Sequence, residues 1–191
     1  MQFAITFDYL CPFARNANEA VLSGLSLGRE WDVRFHAFSL AQVHVEDGEP
    51  DVWDEPEGKS GLLALQWGVA ARDWMPEVFP ALHRELFAAR HDHGHDIKDE
   101  SVLRAAAQRA GADAGLISEI VAGGKPLEAV AAEHTEAVDR WAVFGVPTFI
   151  VDDIATFIRF MSRDAVEDID RALSLLEWQE MNEFKRTRIP R

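Results

Sequence analysis

The sequence predicts an α/β fold in the order β-α-β, a block of helices, then β-β-α. Three observations carry that prediction. Gln2 to Leu10 is β-rich and mostly apolar, and runs straight into Cys11-Pro12 and a helical pattern. Val33 to Leu40 alternates strictly, with Val33, Phe35 and Ala37 on one face, which is the period of a half-buried strand. From Gly61 to about Thr135 the period is helical throughout, and Pro147-Thr148-Phe149-Ile150-Val151 then returns to a strand.

The elements follow in order. After the first strand the chain turns sharply and a helix starts on Cys11. Pro12 falls near its first position, where a missing N–H costs little. Ala17, Ala20, Val21, Leu25 and Leu27 roughly follow helical spacing, and Gly28 is the expected stop. After the second strand, residues 46–58 hold seven carboxylates (Glu46, Asp47, Glu49, Asp51, Asp54, Glu55, Glu57) among Gly48, Pro50, Pro56 and Gly58, the composition of a solvated loop. Helices are expected over Leu62 to Met75, Pro76 to Arg90, Ser101 to Ala110, Ala114 to Ala122 and Pro126 to Trp141. Gly94, Gly111 and Gly123-Gly124 are the stops, and Ser101 is the N-cap of its helix. Asp152-Asp153 then reads as the turn of a hairpin whose second strand is Ala155 to Phe160. Arg163 to about Met181 reads as an amphipathic helix with Val166, Ile169, Ala172, Leu173 and Leu176 inward. The basic tail, with Lys185, Arg186, Arg188 and Arg191, is expected in solvent or against the acidic surface. Residues 1–58 and 136–191 thus form one unit, and residues 59–135 form an all-helical insertion.

The totals narrow the function. The 191 residues are 48% hydrophobic and 27% charged, ordinary for a globular chain with a core. A net charge of −14 argues against nucleic acid or an anionic membrane as partner. No stretch approaches the ~18 apolar residues of a membrane span. Asp8 interrupts the N-terminal apolar run and no basic segment precedes it, so no signal peptide is expected. A single cysteine, Cys11, excludes a disulfide framework and a cysteine-rich zinc site, and the expected compartment is the reducing cytosol.

Cys11 is the residue that points to chemistry. A thiol at a helix N-terminus lies near unpaired backbone N–H groups, which favour the thiolate, so a reactive residue with a lowered pKa is expected. Asp8 stands three positions before it, as a strand-end polar residue or as a group that handles the thiol's proton. His91-Asp92-His93-Gly94-His95-Asp96 offers alternating histidines, but Gly94 puts them in a loop without fixed ligand spacing, so no metal is expected. Trp53, Trp67, Trp74, Trp141 and Trp178 read as core or interface. Nothing in the sequence places a histidine near Cys11 for a Cys-His hydrolase, and there is no glycine-rich phosphate loop.

The combination of Cys11-Pro12-Phe13-Ala14 after a strand, the helical insertion, and Gly145-Val146-Pro147-Thr148-Phe149 before a hairpin resembles the DsbA-like branch of the thioredoxin fold, over nearly the whole chain. The resemblance implies that Pro147 follows a cis peptide bond and that Val146 lies beside the sulfur; cis X–Pro bonds are otherwise about 5% of the total. Redox members of that family carry C-x-x-C, and here the last position is Ala14. Asp8-Tyr9-Leu10-Cys11-Pro12-Phe13 is also similar to the D-x-x-S-P segment of kappa-class glutathione transferases and 2-hydroxychromene-2-carboxylate isomerases, with cysteine in place of serine. Cys-Pro-Phe-Ala is similar as well to monothiol glutaredoxins.

Without a second cysteine a dithiol cycle within one chain is impossible. Three cycles stay open: a mixed disulfide resolved by an external thiol, uptake and release of a small thiol such as glutathione or mycothiol, or a helix N-terminus that holds such a cofactor's thiolate with the Cys11 thiol as hydrogen-bond donor. All three use the same residues. Cys11 is the nucleophile or donor and Pro12 stiffens the turn. Pro147 shapes the facing loop, and the Val146 backbone pairs with an extended substrate. Phe13 is expected at the lip of the site, beside Ala14. The leading expectation is a monothiol thiol-disulfide oxidoreductase with no tightly bound cofactor, acting on small or protein thiols and disulfides. A thiol-dependent transferase or isomerase comes next, and a non-catalytic binding module third. A homodimer is plausible from the resemblance.

Overall fold

The computed structural model describes residues 1–46, 48–178 and 180. Its centre is one mixed four-stranded sheet in the order β2-β1-β3-β4, formed by β1 (Gln2–Phe7), β2 (Asp32–Ala37), β3 (Thr148–Val151) and β4 (Ile154–Phe157). β1 and β2 run parallel in register from Gln2–Asp32 to Phe7–Ala37. Parallel neighbours need a crossover, and α1 (Pro12–Ser26) supplies it. β3 lies antiparallel to β1, and β4 antiparallel to β3. Ile5 and Phe7 of the central strand are fully buried, because helices cover both faces of the sheet.

Each strand ends for a local reason, and each is shorter than its apolar run. β1 stops at Phe7 instead of Leu10 because Asp8 turns the chain. Its Oδ1 accepts from the Leu10 amide at 2.8 Å, and its carbonyl accepts from the Cys11 amide at 3.1 Å. β2 stops at Ala37 instead of Leu40. The Ser39 hydroxyl accepts from the Gln42 amide and caps a four-residue helix, α2 (Leu40–Val43), too short to show periodicity in sequence. β4 stops at Phe157, opposite Thr148. Beyond that pair stands Pro147, which has no N–H to extend the ladder.

The helical block is α3 (Leu62–Trp74), α4 (Phe79–His91), α5 (Glu100–Arg109), α6 (Ala114–Ala122) and α7 (Lys125–Trp141), and α8 (Val166–Leu176) packs on α1. α3 is buried nearly all round, with Trp67 fully enclosed, whereas Trp74 and Trp178 are exposed. α4 starts at Phe79, later than expected, with Pro80 in its first turn. The cap of α5 is Asp99, whose carboxylate accepts from the Ser101 amide at 2.8 Å; Ser101 itself is inside the helix. α7 is unbroken across residues 135 and 136, so the expected domain boundary falls inside a helix. In the acidic loop Val52 is buried, and Gln42 ties the loop down through the Asp51 carboxylate and the Val52 amide. Asp47 and the basic tail from Lys185 to Arg191 lie outside the described residues.

Two polar seams join the helical block to the sheet. Along the edge of β2, Glu133 of α7 accepts from the Ala37 amide at 2.6 Å and from Arg72 of α3, while His134 accepts from the Ser39 amide at 3.1 Å and stacks on Phe38 at 4.3 Å. These side chains occupy backbone groups that an edge strand otherwise offers to another chain. The second seam is a fully buried chain. The Tyr9 hydroxyl meets His83 Nδ1 at 2.7 Å, His83 Nε2 meets Asn18 Oδ1 at 3.2 Å, and Asn18 Nδ2 donates to the Ala14 carbonyl at 2.8 Å. Asn18 Nδ2 also faces the Thr6 carbonyl. Two carbonyl acceptors fix the Asn18 amide, so its oxygen faces His83. His83 therefore carries its proton on Nε2 and accepts from Tyr9. Burial pushes its pKa down to about 3, which keeps it neutral. Gly68 of α3 makes room for Tyr9, since a Cβ there would stand 2.2 Å from the hydroxyl.

Candidate active site

Cys11 is the N-cap of α1, with extended backbone angles of φ −96° and ψ 117°. Pro12 is the first helical residue and is exposed. Sγ is half-buried between two backbone groups of opposite character. It accepts from the Ala14 amide at 3.4 Å, and its S–H donates to the Val146 carbonyl at 3.3 Å. The Val146–Pro147 peptide is cis. The β1–β3 register pairs Ala4 with Ile150 and Ile5 with Phe149. Continued past the last ladder pair, it sets Asp8 opposite Val146, which brings the Cys11 turn against the Pro147 loop.

That loop is fastened almost completely. Thr148 Oγ1 donates to the Gly145 carbonyl at 2.7 Å, the Thr148 amide donates to Thr6 Oγ1 at 2.8 Å, and the Ile158 amide donates to the Pro147 carbonyl at 3.2 Å. Among the described residues the Val146 amide has no acceptor, and its carbonyl has only the Cys11 thiol. The structure therefore brings Cys11, Pro12, Ala14, Val146 and Pro147 together as one site.

The thiolate expected from the helix N-terminus is not what the surroundings favour. Burial pushes the Cys11 thiol above its ordinary value of 9.0, and the Asp8 charge adds to the rise. The Ala14 and Phe13 amides and the Arg159 charge oppose it without overcoming it. The S–H bond to Val146 fits the same conclusion, because a hydrogen bond from the neutral thiol disfavours its ionisation. The sequence shows the helix start but not the depth at which the sulfur sits.

Asp8 is fully buried, and its two oxygens accept from the Leu10 and Leu40 amides at 2.8 and 2.7 Å. Burial pushes its pKa up to about 6 against those two bonds. It fixes the turn that presents Cys11 and couples to the sulfur by charge. Phe13 is half-buried at the rim, and the Arg159 guanidinium lies over its ring at 5.4 Å from the centroid.

Two neighbours of the site escape sequence reasoning. Arg159 follows a hairpin strand whose alternation says nothing of what its side chain faces. His91 closes α4 instead of lying in a loop, and its Nε2 bonds the Tyr9 carbonyl at 2.9 Å, two residues before Cys11. A histidine does therefore stand close to the cysteine turn, while His93 and His95 are exposed. Among the described residues no group of three or more His, Cys, Asp and Glu side chains could hold a metal ion. A groove of about 800 Å³ opens at the far end of the sheet, lined by Gln2, Phe3, Arg34, Phe35 and Trp141 among others, and does not reach Cys11. No described helix is long and apolar enough to cross a membrane.

The model of the DsbA-like thioredoxin domain matches residues 4–174. The chain belongs to the DsbA-like thioredoxin family. Among solved structures it is similar to 2-hydroxychromene-2-carboxylate isomerase, with 19% identity, a TM-score of 0.64, and 94% of this chain and 97% of that one covered. It is similar to the cytosolic disulfide reductase DsbM from Pseudomonas aeruginosa with GSH, with 17% identity, a TM-score of 0.66, and coverage of 93% and 99%. A thioredoxin-like oxidoreductase from Silicibacter pomeroyi matches with 19% identity, a TM-score of 0.60, and coverage of 91% and 86%. No curated protein matches the sequence. At these identities the likeness establishes the DsbA-like fold with its helical insertion. These three neighbours are an isomerase, a disulfide reductase and an oxidoreductase.

Proposed function

We infer that this DsbA-like chain is a cytosolic monothiol enzyme in which Cys11 exchanges disulfides with an external thiol as resolver. The observation that carries the reading is the sulfur's position between the Ala14 amide and the Val146 carbonyl, beside an otherwise fastened Pro147 loop. An extended substrate that pairs with the Val146 backbone takes up its carbonyl. The thiol then loses its acceptor and keeps the Ala14 N–H, which favours the thiolate. Substrate docking thereby lowers a pKa that is high in the free protein.

In the reaction the Cys11 thiol gives its proton to solvent, and the sulfur attacks one sulfur of RS–SR. A Cys11–S–S–R bond forms, the RS–SR bond breaks, and RS⁻ leaves and takes up a proton. A second thiol, R′SH, attacks the mixed disulfide. It restores the Cys11 thiol and leaves as R′S–SR, so no net electrons stay on the protein. Ala14 offers no internal sulfur to compete with R′SH.

A second reading is favoured by the raised Cys11 pKa. A thiol protonated at neutral pH can donate to the thiolate of a bound cofactor such as glutathione, as a serine does at this position in the transferase and isomerase branch.

Intact mass after exposure to oxidised glutathione decides between them. Exchange predicts a single glutathione adduct on wild type, absent in Cys11→Ser and released by added thiol. An unmodified wild-type mass overturns it. Tight binding of reduced glutathione by that unmodified protein then supports the second reading.

A further inference from the structure

Arg159 stands apart from the other arginines near the site. Arg15, Arg84 and Arg163 are all engaged with carboxylates: Arg15 with Glu19 and Asp92, Arg84 with Asp164, and Arg163 with Glu19 at 2.8 Å. Among the described residues Arg159 makes no hydrogen bond and no ion pair, and it is exposed. It is held instead by aromatic faces, with its guanidinium carbon 5.4 Å from the Phe13 centroid and 5.9 Å from that of Phe157. Phe144, 69% exposed, packs against Phe157 at 5.1 Å and extends the wall.

These contacts are of the cation with ring faces and use none of its N–H donors. The guanidinium fork, the geometry that matches a carboxylate, is therefore taken by no acceptor among the described residues. Phe13 is two residues after Cys11, so this fork lies within reach of a thiol tripeptide bound at the sulfur, which spans about 10 Å when extended. The chain as a whole carries −14 and repels anions. Arg159, without an ion pair among the described residues, sets a positive charge against that sign at the rim, and its charge acts on Cys11.

We propose that Arg159, seated on Phe13 and Phe157, binds a carboxylate of the small thiol or disulfide engaged at Cys11, and gives the site a preference for anionic over neutral or cationic thiols. The proposal rests on the reading of Cys11 as a small-thiol site and deepens it by naming the substrate's charge. A thiol built on a neutral sugar gains nothing from Arg159, whereas a carboxylate-bearing peptide thiol does.

The test is the rate of Cys11 adduct formation, followed by intact mass, with oxidised glutathione (anionic), hydroxyethyl disulfide (neutral) and cystamine (cationic). Wild type is compared with Arg159→Ala, Arg159→Lys and Arg159→Glu, and each rate is scaled to that of a free thiol of matched pKa. The expected result is that the glutathione-to-hydroxyethyl ratio falls about five-fold in Arg159→Ala, the scale of one exposed ion pair. It is largely restored in Arg159→Lys, and Arg159→Glu shifts preference toward cystamine. Equal slowing with all three disulfides means that Arg159 acts only on the thiol, and overturns the proposal. If no disulfide forms an adduct, covalent exchange at Cys11 falls, and the charge preference is read without chemistry. S-methylglutathione is then compared with its diethyl ester for binding to wild type and Arg159→Ala. Tighter binding of the free acid, lost in the variant, supports the proposal, and equal binding of acid and ester to wild type overturns it.

Discussion

The Cys11 thiol donates to the Val146 carbonyl across 3.3 Å, so the one sulfur of this site is held as a neutral donor in the free protein. Its reactivity depends on what displaces that bond.

The thiol's pKa is the first quantity to measure. The pH dependence of Cys11 alkylation by iodoacetamide should place it above the ordinary 9.0, through burial and the neighbouring Asp8 charge. Asp8→Asn removes that charge, so the alkylation profile should move to lower pH. A wild-type value well below 9.0, or an Asp8→Asn profile displaced upward, contradicts the arrangement described.

Stability should carry two opposing acid responses. His83 and His134 have folded pKa values of about 3 and about 4 against an ordinary 6.5, both lowered mainly by burial. The unfolded chain therefore binds their protons first. Their contribution is complete above pH 6.5 and is lost as the pH falls toward 4 and then 3. Asp8 works the other way, with a folded value of about 6 against 3.8. Its cost is absent below 3.8 and complete above 6, so its contribution falls as the pH rises through that window. Urea unfolding from pH 7 to pH 4 should show a steeper acid loss for Asp8→Asn than for wild type. The two curves should diverge by at most about 3 kcal/mol. Parallel curves would mean that Asp8 titrates normally.

Gly68→Ala tests the close approach of Tyr9. A methyl group 2.2 Å from the hydroxyl oxygen forces a shift inside a packed core, at about 1–3 kcal/mol. The combined Tyr9→Phe, Gly68→Ala variant should lose less stability than the two single losses added, because the second change removes the clashing atom. Additive losses in urea unfolding would place the effect elsewhere.

Glu133→Ala should open the edge of β2. It leaves the Ala37 amide without its acceptor and strips the half-buried Arg72 of a partner, a loss of about 3 kcal/mol. Hydrogen exchange at Ala37 should accelerate beyond that of its strand neighbours. A uniform change along β2 would show only global destabilisation.

The sequence conveyed the architecture well because its signals are local. Alternation marks β2, helical spacing marks the block, and Cys11-Pro12 and Val146-Pro147 mark two turns that the β1–β3 register brings together. It conveyed the electrostatics poorly because those depend on depth and on distant partners. The helix start at Pro12 argues for a thiolate, while burial of the sulfur and the Asp8 carboxylate decide otherwise. Asp99 displaced Ser101 as a cap because both residue types cap well and only backbone angles choose between them. Arg159 and His91 reach the site through tertiary packing, which leaves no pattern along the chain.

The chain of Tyr9, His83, Asn18 and Ala14 has a consequence for how the molecule comes apart. His83 belongs to the helical insertion, while its partners belong to the first strand turn and α1, the elements that carry Cys11. Excising the insertion would take away the partner of the Tyr9 hydroxyl and of the Asn18 amide oxygen and expose the apolar inner faces of β1 and α1 to water. The sheet that carries the cysteine therefore owes its integrity to the inserted helices. The two portions should melt in a single cooperative transition, and a fragment reduced to the strands and their flanking helices should lose the cysteine's setting.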